Sequence, residues 1–245
     1  MKTLRRMLVG STLAVLACGL ASAGTMSVTC STIYDQTELN SGDTVSCADF
    51  AGIAGQTLTG ISITVSGAII GPGFTSTNGT ITALPGSSIT ITNTDSATHT
   101  AQATIDSGFS LAGSLSGFSF SCGGVCINGS LFDVFAGTGL QTLGASSVNP
   151  FAVTGSGSSS ASDTNSGTFG SYEGAGSFTL AATTNTGLST LGGGGNVTFA
   201  QLTDASLTAT VVYTYGPTVA PEPGTLFLMG SALVAAGLIR KRIKS

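Results

Sequence analysis

Along the middle of the chain, apolar and polar residues alternate. Ile61, Ile63 and Val65 alternate with Ser62 and Thr64, and Ile89 and Ile91 with Thr90 and Thr92. Leu207, Ala209, Val211 and Tyr213 alternate in the same way with Thr208, Thr210, Val212 and Thr214. A period of two puts one residue set on each face of a strand, and no stretch between residues 24 and 220 carries a helical period of useful length. Threonine on the outer face is β-branched, so it favours extended backbone while staying hydrated. Turn-forming clusters punctuate the runs at Asn78-Gly79, Pro85-Gly86, Asn93-Thr94-Asp95, Asn128-Gly129 and Gly192 to Gly195. The pattern predicts an all-β fold, an antiparallel two-sheet β-sandwich of roughly eight to twelve strands. Val153 to Gly176 has few large apolar groups and reads as long loops between strands of one domain. A split into two domains near residues 155–167 is the alternative.

The two ends follow other patterns. Lys2, Arg5 and Arg6 precede an apolar run from Met7 to Leu20, and Ala21-Ser22-Ala23 offers small side chains for cleavage. This predicts a secretory signal peptide over residues 1–23, cut by signal peptidase between Ala23 and Gly24. Two rivals are a retained membrane helix and a lipobox, Val15-Leu16-Ala17-Cys18, in which Cys18 would be lipidated. At the other end residues 217–224 are proline-rich, with Pro217 and Pro221-Glu222-Pro223-Gly224. Proline lacks a backbone donor and fixes its own φ, so this stretch should stand extended and accessible. An apolar run over 225–239 predicts a transmembrane helix about 22 Å long, short of a ~30 Å hydrocarbon core. The basic tail, residues 240–245, can snorkel to close part of the gap and stays in the cytoplasm. The predicted domain at 24–216 then faces outward from the inner membrane.

Charge sharpens this division. All seven Lys and Arg lie at the two ends, whereas residues 24–220 carry ten of the eleven acids and no basic side chain. Nucleic acid is excluded as a partner, because nothing in the middle neutralises a phosphate. Gly, Ser and Thr fill 106 of 245 positions, with no Trp and one His. A trypsin-like protease finds no site in such a domain, and its acidity keeps copies apart despite a mean hydropathy of +0.43.

The order Pro221-Glu222-Pro223, apolar span and basic cluster resembles the PEP-CTERM sorting signal of Gram-negative bacteria. The resemblance covers about residues 219–244. It implies recognition by an exosortase, a membrane-embedded transpeptidase-like enzyme, with cleavage near the motif and transfer to the cell surface or release. It also implies cells that make exopolysaccharide and biofilm. Gly174 to Leu180, Gly193-Gly194-Gly195-Asn196 and Thr210 to Tyr215 resemble the end of a choice-of-anchor β-domain, a class without a known activity.

Candidate chemistry in the middle is sparse. After export Cys30, Cys47, Cys122 and Cys126 remain, an even count that reads as two disulfides. The local pairing is Cys30–Cys47 with Cys122–Cys126, and two other pairings stay open. A zinc site is disfavoured, since Cys-x3-Cys lacks the usual knuckle spacing. His99 reads as a partly exposed strand histidine, flanked in sequence by Asp95 and Asp106, and no Gly-x-Ser-x-Gly elbow accompanies it. Asp35, Glu38, Asp43 and Asp49 cluster near Cys30 and Cys47 without a regular calcium loop. No catalytic residue, metal site or cofactor is expected. The leading expectation is a non-enzymatic surface or exopolysaccharide-matrix protein. The alternative is a carbohydrate-binding module that tethers exopolysaccharide, for which only Tyr34, Tyr172, Tyr213 and Tyr215 stand out as sugar platforms.

Overall fold

The computed structural model describes residues 23–35, 38–40, 42–72, 86–111, 115–120, 130–218 and 230–231. Cys18, Cys122, Cys126, Pro221, Glu222, Pro223, the signal stretch up to Ser22 and all but two residues of the 225–239 run therefore lie outside the described residues.

The described chain is all-β. Its strands are β1 (Gly24–Asp35), β2 (Thr44–Ala48), β3 (Gln56–Ile69), β4 (Ser88–Asn93), β5 (His99–Leu111) and β6 (Phe132–Gly137). They continue as β7 (Gln141–Leu143), β8 (Ser147–Ala152), β9 (Gly155–Asp163), β10 (Ser177–Gly192), β11 (Val197–Leu202) and β12 (Ala205–Pro217). Where two sheets were expected, the hydrogen bonds define three: β1-β12-β3-β9, then β2-β10-β5-β6 with β7 on β5, then β11-β4-β8. Antiparallel registers join β3 to β9, β10 to β2 and β5, β5 to β6 and β7, and β4 to β8 and β11.

Alternation becomes burial as the period requires. Ile61, Ile63, Val65, Ile89, Ile91, Leu207, Ala209, Val211 and Tyr213 are all buried, while Ser62, Thr64, Thr90, Thr208 and Thr210 stay at least partly exposed. Each fully buried aliphatic side chain contributes roughly 1.5–3 kcal/mol.

The stretch expected to be long loops departs from that reading. Residues 155–163 form β9, a nine-residue strand paired along its whole length with β3. Its hydroxyls point outward at Ser156, Ser158, Ser160 and Ser162, all exposed. Its inward glycines are required by packing: a Cβ on Gly157 would stand 2.9 Å from the Phe132 ring, and one on Gly155 2.5 Å from the Phe135 carbonyl. Low hydrophobicity here reflects close approach of strands.

Two compact units divide the chain. The larger, Thr25–Gly52 with Leu58–Thr214, contains most of the strands, β9 among them. Two buried hubs organise it. Asp204 is fully buried immediately before β12, where its Oδ2 accepts from the Gly86 N–H at 2.7 Å and its own N–H donates to Ser87 Oγ at 2.8 Å. Tyr213 donates its hydroxyl to the Ala48 carbonyl at 2.8 Å, with its ring 5.6 Å from that of Phe50. The smaller unit comprises Met1–Gly24, Ile53–Thr57 and Tyr215–Ser245.

Candidate functional site: processing junctions, disulfide and exposed faces

The described residues that border the two expected processing junctions, Gly24 and Thr218, belong to the smaller unit. Gly24, the residue after the expected signal cleavage, opens β1 against the ring of Tyr215: a Cβ on Gly24 would lie 2.7 Å from that ring. A side chain there would have to push the tip of the Tyr215 ring aside. Beyond β12, Thr218 donates both its N–H (3.1 Å) and its Oγ1 hydroxyl (3.0 Å) to the Gly55 carbonyl. Gly55 has φ +75° within a turn closed by the Gln56 N–H on the Ile53 carbonyl at 2.9 Å. Pro221-Glu222-Pro223 begins three residues after Thr218.

Cys30 on β1 and Cys47 on β2 form a disulfide, with Cα atoms 4.4 Å apart. It joins strands of two different sheets, and both cysteines are buried. Beside it the Ser46 N–H donates to Ser31 Oγ at 2.7 Å.

His99 begins β5 and is 26% exposed. Its Nε2 lies 3.1 Å from Asp95 Oδ2, which also accepts from Asn196 Nδ2 at 2.8 Å. Asp95 Oδ1 accepts from the Ala97 N–H at 2.9 Å. The Ala97 amide, then His99 and Asn196, hold the Asp95 carboxyl down at about 2. The Ser146 N–H and hydroxyl both turn to the Asp95 carbonyl. The group therefore ties three loops together, and among the described residues no serine hydroxyl is bonded to the imidazole.

Two exposed faces carry other groups. On the outer side of β12, β3 and β9, Ser66, Ala68, Ser156, Ser158, Ser206 and Thr208 line an open groove of about 370 Å³. On the outer side of β10, β5 and β6, Asp106 lies in register between Phe135 and Gly187. Burial, then the neighbouring Asp133 charge, raises the Asp106 carboxyl above its ordinary range. Phe135 is 59% exposed. Sequence reasoning, directed at tyrosines, missed it; the available signal was that Phe135 takes the phase opposite to Phe132 and Val134 on the same short strand. Of the tyrosines, Tyr172 and Tyr213 are buried core, with Tyr172 donating to the Ser116 carbonyl at 2.8 Å. Among the described residues no three His, Cys, Asp or Glu side chains gather as a metal-binding group, Asp35, Glu38, Asp43 and Asp49 included. Nor is any helix there long and apolar enough to cross a membrane.

The described residues are all-β, and in sequence the proline-rich segment and apolar run follow soon after β12, the last strand among them. Residues 219–242 match the family model for the PEP-CTERM protein-sorting motif, so the chain carries that motif. The motif implies an exported, exosortase-targeted protein sorted to the cell surface. No curated protein matches the chain. Among solved structures, infectious bursal disease virus of the Gx strain is similar at 14% identity and TM-score 0.15, over 83% of this chain and 44% of that one. The Gt strain structure is similar at 12% identity and TM-score 0.13, over 83% and 42%. The chain thus spans less than half the length of those viral chains, and likeness at this level carries no argument about fold or function.

Proposed function

We propose that this chain is an exosortase-processed structural protein of the cell surface or exopolysaccharide matrix, without catalytic activity of its own. Signal peptidase removes residues 1–23, and the 225–239 span then holds the chain in the inner membrane with its β-domain in the periplasm. Exosortase acts near Pro221-Glu222-Pro223 and passes the domain outward. The observation that carries the reading is the sorting-motif match at 219–242. A domain without Lys or Arg, tied by Cys30–Cys47, supports persistence in an oxidising, protease-containing exterior. A structural role is supported by His99, whose ring is engaged by Asp95 within a loop knot.

A second reading, a carbohydrate-binding tether for exopolysaccharide, is favoured by the hydroxyl-lined groove and by exposed Phe135 beside Asp106. An aromatic ring can stack on a sugar's apolar face while hydroxyls and carboxylates bond its edges. The choice-of-anchor likeness of residues 174–215 belongs with these proposals.

Replacing Pro221, Glu222 and Pro223 with alanine tests the first reading. Full-length chain should accumulate in the inner membrane, and unchanged processing would contradict exosortase recognition. A glycan array probed with residues 24–220 tests the second, which predicts retention of an exopolysaccharide and is overturned by none.

A further inference from the structure

We infer that the outer face of β10, β5 and β6 binds a polysaccharide carrying free amino groups, with a sugar ring seated on Phe135 and its ammonium group held by Asp106 and Asp133. This deepens the carbohydrate-tether reading above and rests on it.

Strand phase builds the face. On β6, Phe132 and Val134 are buried while Asp133 and Phe135 point the other way; on β5, Ile105 and Phe109 are buried while Asp106 takes the outer side. Register puts Asp106 in one row between Gly187 of β10 and Phe135 of β6. Gly187 leaves the floor open on one side, since an added Cβ there meets nothing within 4 Å, and the Phe135 ring is 59% exposed on the other. In a neighbouring row Gly108 pairs with Asp133. A Cβ on Gly108 would stand 3.1 Å from Asp133 Oδ1, so this carboxylate leans across β5. The Ser130 hydroxyl donates to the same oxygen at 2.6 Å and fixes it there. Gly108 is two residues from Asp106, about 6.8 Å along the strand. One ring and two carboxylates therefore share a patch the size of a sugar unit.

Charge selects the occupant. Asp106 Oδ1 is buried and accepts no hydrogen bond among the described residues. Burial, then the Asp133 charge, raises the Asp106 carboxyl. Residues 24–220 contain no Lys or Arg, and His99, the single histidine, is bonded to Asp95. A compensating cation therefore has to arrive with a ligand. A calcium ion asks for six or more oxygens, and no third acidic side chain joins these two among the described residues. A polymer of uronate or sulfate is repelled by an acidic domain. A neutral sugar uses the ring and leaves both carboxylates unanswered. An amino sugar meets all three groups: its apolar face stacks on Phe135, and its ammonium donates to the carboxylates beside the negative face of the ring.

The test is calorimetric titration of the full-length chain in detergent with an oligomer of glucosamine and with the same oligomer fully N-acetylated. The glucosamine oligomer should bind at least about tenfold tighter, and the advantage should shrink as salt is raised. Asp106→Asn and Asp133→Asn should each remove most of that advantage while leaving affinity for the N-acetylated oligomer unchanged. Phe135→Ala should weaken both oligomers roughly two- to tenfold. Melting curves check that each variant is folded. Equal affinity for the two oligomers overturns the amine assignment and leaves the tether reading standing. Glucosamine-oligomer binding that survives all three substitutions is adsorption to the domain's net charge and overturns the site. Polylysine bound as tightly, and with the same dependence on the three residues, assigns the face to a cationic polypeptide instead. Binding of neither oligomer overturns the proposal, whereas the tether reading itself falls only if the glycan array also retains nothing.

Discussion

Gly67 packs so closely on Phe109 that an added Cβ would stand 2.6 Å from the ring. The relationship is repeated in register: Gly157 pairs with Gly67 across β9 and β3, and Phe132 pairs with Phe109 across β6 and β5. The two rings stack with centroids 5.1 Å apart, so two glycines of one sheet form a flat floor for two rings of another. A methyl group there must displace an aromatic side chain. Gly67→Ala and Gly157→Ala should each cost about 1–3 kcal/mol and lower Tm by roughly 2–10 °C. Gly187→Ala, where an added Cβ meets nothing within 4 Å, should leave the melting curve within about 0.5 kcal/mol of the original.

The disulfide closes a loop of sequence separation 17. By the chain-entropy argument its loss should cost roughly 3 kcal/mol, through greater freedom of the unfolded chain. Urea unfolding with and without reductant measures this. Equal midpoints would show that the cross-link contributes nothing.

Two carboxylates should give opposite pH responses. Asp95 is held at about 2 in the fold against an ordinary 3.8, so its contribution is complete above that ordinary value and is lost as pH falls towards 2. Replacing it with alanine should flatten the stability profile in that acidic window. Asp106 is raised by burial, so its folded state holds the proton more tightly and stability falls as pH rises through its folded value. Asp106→Asn should therefore raise Tm at pH 7 and leave it nearly unchanged below about pH 3. Tm profiles of the two variants from pH 2 to 8 decide both signs, and parallel profiles would contradict the assignment.

Asp204 ties Ile70 at the end of β3 to Gly86 and Ser87 just before β4. The Gly86 N–H donates to its Oδ2, while the Ile70 N–H (2.9 Å) and the Ser87 hydroxyl (3.1 Å) reach its carbonyl. Asp204→Ala removes the acceptor for a buried N–H and should cost about 2 kcal/mol. Asp204→Asn keeps an acceptor and should cost less. A denaturant series that ranked the two variants equally would contradict this role.

Sequence and structure agree where burial follows from local pattern and part where it depends on a distant strand. Ile61, Ile63, Val65, Leu207 and Val211 announce their face, because each is apolar and its neighbours are not. β9 announces nothing: Gly155 and Gly157 face inward where Val134, the Phe135 carbonyl and the Phe132 ring of β6 approach too closely for a side chain. Asp95 and His99 sit four apart, a spacing without meaning outside a helix until a loop folds one back on the other. Phe135 reads as core by composition, yet its strand turns it out beside Asp106. The sorting segment is legible for the reverse reason. Prolines, apolar run and closing cations are read as linear sequence and need no folded partner, whereas the Thr218–Gly55 contact joins positions 163 apart.

Intact-mass and terminal-peptide analysis of the protein recovered from the cell surface or matrix tests the central claim most directly. The account predicts a chain that begins at Gly24, contains the Cys30–Cys47 cross-link and ends near Pro221-Glu222-Pro223, without the apolar 225–239 run or the basic tail. Uncut polypeptide from Met1 to Ser245, soluble in the cytosol with Cys30 and Cys47 reduced, would contradict it.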